Sequence, residues 1–133
     1  MNFEIGIKGR SETVVTLENT AAAVGSGLVP VFATPQMIAM MENASVDALA
    51  PYMEEGQGSV GTFVNISHDA ATPIGMKVWA ESVLIEKNGK ALTFSVTAYD
   101  EEGVIGKGTH GRFIIDYKRF LEKSEQKKSG RRP

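Results

Sequence analysis

The sequence predicts an α+β fold in which one long helix of about 16 residues is wrapped by an antiparallel sheet of about five strands. Three observations predict it. One segment, from residue 34 to about 49, repeats small and apolar side chains at helical spacing. Four long segments after residue 58 read as strands. Two of those strands meet at Asn88-Gly89, a two-residue hairpin signal.

Each element has its own justification. SETVVTLE, residues 11–18, suggests the first strand. Residues 19–33 are small and apolar, broken by Gly25, Gly27 and Pro30, and read as a loop that packs over something. Thr34 is a good N-cap and Pro35 suits the first helical position. Met37, Ile38, Met41, Ala44, Ser45, Ala48 and Leu49 then line one helical face, and Pro51 with Gly56 and Gly58 ends the helix. By period two, residues 59–68 place Val60, Thr62, Val64, Ile66 and His68 on one face. Residues 76–87, 90–100 and 104–117 are the remaining strands. A sheet curled round a single helix leaves exposed edges, so a homodimer or a higher oligomer is expected.

Composition narrows the chemistry. The 133 residues suit one domain, and 42% apolar content is too high for a disordered chain. With no cysteine there is no disulfide scaffold, Cys-ligated zinc, iron–sulfur cluster or thiol nucleophile. Two histidines, His68 and His110, do not make a histidine-rich metal site, so neither metal nor cofactor is expected. The first ten residues, MNFEIGIKGR, show no secretory pattern and no apolar run reaches spanning length. A cytoplasmic protein is expected, with no membrane partner.

Charge is unevenly distributed. Residues 1–117 carry 7 Lys/Arg against 14 Asp/Glu, a net of −7, whereas residues 118–133 carry 7 against 2, a net of +5. An acidic body argues against nucleic acid as a partner. Residues 1–120 read as the folded domain and 121–133 as a flexible basic tail.

Few side chains remain as candidates for chemistry. Gly106, Gly108 and Gly111 spell G-x-G-x-x-G, but a strand follows instead of a helix, so close backbone approach replaces the dinucleotide reading. Glu42 lies at the edge of the apolar helical face, either near the surface or partly buried with a partner; burial would suit it to general-base work. His68 ends an inward-facing strand. His110 alternates with Gly108 and Arg112, and an exposed or structural role is expected of it. Met37, Met40, Met41 and Met76 read as core filling, and Trp79 as core or interface packing.

The stretch VFATPQMIAMMENASVDALAPYMEEGQGSVGTFVNISHDAATPIG resembles the core of the fluoroacetyl-CoA thioesterase-like family of hotdog-fold proteins. FAT before the helix, MxxMME within it and the SHxAATPxG run carry the resemblance, and RSETVVTLE and IGKGTHGRFIIDYKRF extend it over about residues 10–120. The resemblance implies a dimeric hotdog thioesterase with active sites at the subunit interface, hydrolysing a small acyl-CoA to acid and CoA. It also implies a catalytic Thr34, Glu42 and His68. Gly61 of SVGT would line the acyl carbonyl, and Arg112 of THGR would bind substrate. His68 and Glu42 then form a base system that activates either water or the Thr34 hydroxyl.

Two positions depart from the family. The segment NTAAAVGSGLVPV has no phenylalanine where the family's lid can carry those that recognise a fluorinated acyl group, and Gly111 stands where the family tends to have Glu. Other readings are a non-catalytic acyl-CoA-binding hotdog domain and a hotdog hydratase. The hydratase's Asp-x4-His pairing is matched by neither histidine.

Overall fold

The computed structural model describes residues 2–130. Its strands are β1 (Lys8–Val14), β2 (Gln57–His68), β3 (Lys77–Asn88), β4 (Ala91–Asp100) and β5 (Gly103–Asp116). They form one antiparallel sheet in the order β1-β3-β4-β5-β2. Between β1 and β2 lie a single turn, α1 (Ala21–Val24), and the long helix α2 (Thr34–Leu49). The hairpins β3-β4-β5 fill the centre, and β1 and β2 close the two edges.

α2 buries Met37, Met40, Met41, Ala44, Ser45, Ala48 and Leu49, the face its periodicity predicts except that Met40 replaces the half-buried Ile38. Beneath it lie Val78, Ala80, Leu84, Phe94, Val96 and Ala98 of β3 and β4. A side chain such as Phe94, fully enclosed, contributes about 1.5–3 kcal/mol by burial. α2 packs chiefly on β1 and β3, so its Glu42 side faces the less-covered half of the sheet formed by β5 and β2. On β2, Phe63 and Val64 stay exposed.

Several expectations are corrected. The first strand ends at Val14, not residue 18, because Asn19 takes the chain out of the sheet. Its Nδ2 donates to the Val14 carbonyl at 3.0 Å while its Oδ1 accepts from the Thr16 amide at 2.8 Å. The segment read as a loop contains α1, whose amide at Ala23 donates to the Thr20 hydroxyl. Trp79 is outside the core, which excludes the first of its two expected roles: it stacks on Tyr99 at 5.5 Å on the outer face, because its neighbours Val78 and Ala80 point to the core. The alternation along β2 breaks at a bulge between Gly61 and Phe63, which leaves Thr62 as the extra residue. Val64, Ile66 and His68 keep the helix-facing side. Val60 and Thr62 turn to the opposite face, beside Phe113 and Phe120.

At the end of β5, Asp116 caps a third helix, α3 (Tyr117–Glu125), by accepting from the amides of Lys118 and Arg119. This helix runs through the boundary expected at residue 120 and continues into a 3-10 turn, Gln126–Ser129. Residues 131–133 of the expected tail lie outside the described residues. No described helix is long and apolar enough to cross a membrane.

Candidate active site

Thr34 is the first residue of α2 and not its N-cap. Ala33 takes the cap position with extended backbone and no side-chain cap bond. The Thr34 hydroxyl is used elsewhere: Oγ1 lies 2.7 Å from Nδ1 of His68, the last residue of β2. Pro35 fits here because a first-turn residue has no intrahelical use for its N–H. Burial pushes the His68 ring below the ordinary histidine pKa, against the opposing charge of Asp69. Its other nitrogen, Nε2, is buried and has no hydrogen-bond partner among the described residues. Thr34 and His68 border a cavity of about 280 Å³, walled by Ala21, Val29, Phe32 and Ala70.

Glu42 does not join this pair. Eight residues further along α2 it stands about 12 Å from Thr34 along the helix axis, and its Oε2 is 3.7 Å from Nη1 of Arg112. Arg112 is 7% exposed. Its Nε donates to the Ser59 hydroxyl at 2.8 Å and its Nη2 to the Ser59 carbonyl at 2.9 Å. Nη1 lies 3.1 Å from Nε2 of His110. His110 is 1% exposed, and its Nδ1 is 2.8 Å from the Phe63 carbonyl. A carbonyl only accepts, so Nδ1 carries the proton and Nε2 accepts from Arg112. Burial first, and the Arg112 charge after it, push the His110 pKa down; the Phe63 carbonyl and Glu42 oppose them.

The bulge at Thr62 turns Gly61 toward this second cluster. A Cβ on Gly61 would come 2.9 Å from Glu42 Oε2 and 3.3 Å from His110 Cε1, so glycine leaves the carboxylate its room. The five predicted residues therefore form two groups within one chain: Thr34 with His68, and Glu42 with Gly61 and Arg112. Sequence reading missed Ser59 and the Phe63 carbonyl, which no motif marks. His110 is buried, not exposed, and its place two residues from Arg112 on one strand face was the signal for their contact.

A family model described as fluoroacetyl-CoA-specific thioesterase matches residues 15–118. The chain belongs to this family. The thioesterase is 44% identical over 97 residues to a fluoroacetyl-CoA thioesterase of Streptantibioticus cattleyicolor, covering 73% of this chain and 70% of the relative. A solved fluoroacetyl-CoA thioesterase superposes with a TM-score of 0.89 at 35% identity, over 96% of this chain and 98% of that one. A thioesterase-superfamily protein of Thermus thermophilus also superposes at 0.89, with 31% identity over 97% and 96% of the two chains. A fluoroacetyl-CoA-specific thioesterase solved with fluoroacetate and CoA covers 89% of this chain at a TM-score of 0.83. The hotdog fold and the thioester-hydrolase class are thereby established for this enzyme.

Proposed function

We propose that the enzyme hydrolyses a small acyl-CoA thioester to the free acid and CoA, at a site completed by two subunits of a homodimer. The observation that carries this reading is the Thr34–His68 pair, whose Nε2 is buried without a partner among the described residues, while Glu42 lies about 12 Å beyond Thr34 along the helix axis. A carboxylate from a second subunit would supply what His68 Nε2 needs once docking moves aside the groups that enclose it in the single chain. The edge of β2 not bonded to β5 is where that subunit docks. Antiparallel pairing of two β2 edges about a twofold axis between Val64 and Asn65 sets Gly61 of one subunit opposite His68 of the other.

The chemistry follows from the hydrogen bonds. Thr34 Oγ1–H donates to His68 Nδ1, so Nε2 carries hydrogen and donates to the partner's Glu42, which fixes the tautomer. Thr34 attacks the thioester carbon as its proton passes to Nδ1. The C–S bond then breaks, CoA leaves as the thiol with that proton, and water, activated by the same imidazole, hydrolyses the acyl-threonine ester. The positive end of α2 faces the oxyanion that forms at Thr34. Gly61 and Arg112 line the thioester side beside Glu42. No metal or cofactor enters; CoA is part of the substrate.

A cavity of about 280 Å³, lined by small side chains besides Phe32, His68 and Asp69, suits a short acyl group, and it includes no phenylalanine from the segment preceding Val31. The test is thiol release from acetyl, longer straight-chain, branched, aromatic and fluoroacetyl CoA esters. Release from short-chain esters is expected. Binding of these esters without release from any would replace the reading with that of an acyl-CoA-binding module.

A further inference from the structure

We propose that His110 is a positioning residue for Glu42: by accepting from Arg112, its imidazole holds the guanidinium short of a direct pair with the carboxylate. This rests on the reading of Glu42 as a member of the catalytic site. An arginine beside a carboxylate ordinarily closes to a short, often bidentate pair. Here Nη1 stays at 3.7 Å from Glu42 Oε2, beyond hydrogen-bond distance. Three bonds hold it there: two to Ser59 and one to His110 Nε2. Closing the remaining gap would draw Oε2 toward the guanidinium and away from the position in which Glu42 meets an imidazole N–H.

The His110 contact works in one protonation state only. Nε2 accepts because the Phe63 carbonyl takes the proton on Nδ1, and a second proton would set two cations together. The groups facing the ring are the Phe63 carbonyl from β2, Arg112 from β5 and Glu42 from α2; Tyr117 stands near the far side of Arg112. His110 touches no reacting atom in this scheme, so its effect passes through Arg112 to Glu42.

The experiment compares His110→Phe, which keeps a ring and loses the acceptor, with His110→Gln, whose amide oxygen can accept from Arg112. In thiol-release kinetics His110→Phe is expected to lose about 10- to 100-fold in kcat, the scale of a misplaced catalytic group. KM should stay within about threefold, and His110→Gln should recover most of the kcat. Wild-type kcat in His110→Phe, or equal losses in both variants, overturns the proposal. Should His110→Phe not fold, 15N NMR of the wild-type histidines at pH 7 decides. A ring protonated on Nδ1 alone supports the proposal; one protonated on Nε2, or on both nitrogens, overturns it. Glu42→Gln is run alongside. Full activity there sinks the reading of Glu42 itself, whereas its loss beside an unaffected His110→Phe sinks only the role of His110.

Discussion

Oγ1 of Thr34 and Nδ1 of His68 lie 2.7 Å apart although 34 residues separate them. The start of α2 and the end of β2 meet there, so a hydroxyl and a base share one hydrogen bond beside a cavity. On the proposed mechanism they are nucleophile and base and act as one unit. Replacing Thr34 by Ala, His68 by Ala or Glu42 by Gln should each lower kcat at least ~100-fold. The double variant of Thr34 and His68 should be no worse than the poorer single one, because members of one unit are not additive. Steady-state thiol release measures this. Wild-type turnover in His68→Ala would remove the assignment.

Gly61 faces the Glu42 carboxylate through the bulge at Thr62. A methyl at 2.9 Å from Oε2 and 3.3 Å from His110 Cε1 must push the flexible end of Glu42 aside, since the buried ring has less freedom. Gly61→Ala is therefore expected to cost about 10- to 100-fold in kcat. The melting temperature should change little, because the displaced group is a half-exposed side-chain tip. An unchanged kcat would contradict the need for the Glu42 carboxylate in this position.

Protonation of His68 stops it from taking the Thr34 proton, and burial is the leading cause that holds its pKa down. kcat/KM should thus persist as pH falls through about 6.5, the ordinary histidine value, and decline only below it. His68 and His110 are both depressed in the folded protein, so the unfolded chain takes up protons first as pH drops. Their contribution to stability is complete above about 6.5 and is lost as pH falls toward the folded values. Activity profiles and melting curves from pH 5 to 8 check both. An acid limb centred above the ordinary histidine value would contradict burial as the leading influence on His68 and point instead to the Glu42 carboxylate at Nε2.

The elements with strong period were legible in the sequence. The apolar face of α2 and the hairpin at Asn88-Gly89 appear where the spacing puts them. The glycines of β5 are close-approach residues: a Cβ on Gly106 would come within 2.8 Å of Met37. What failed depends on single side-chain bonds or on register. Asn19 ends β1 early by bonding Val14, and the hydroxyl of Thr34 leaves its capping role for a histidine 34 residues away. The bulge at Thr62 reverses Val60 and brings Gly61 inward. Residue types at family spacing named Thr34, Glu42 and His68, but no spacing shows that eight helical residues keep Glu42 apart from the other two.

A site shared by two subunits, as proposed, answers that separation, and mixed dimers test it most directly. His68→Ala and Glu42→Gln, each expected to lose at least ~100-fold in kcat alone, are co-expressed or refolded together in equal amounts. Random pairing makes about half of the dimers mixed, and each mixed dimer keeps one intact site of two, so about a quarter of wild-type activity should return. Mixtures as inactive as the separate variants would contradict the shared site and return the whole catalytic unit to a single chain.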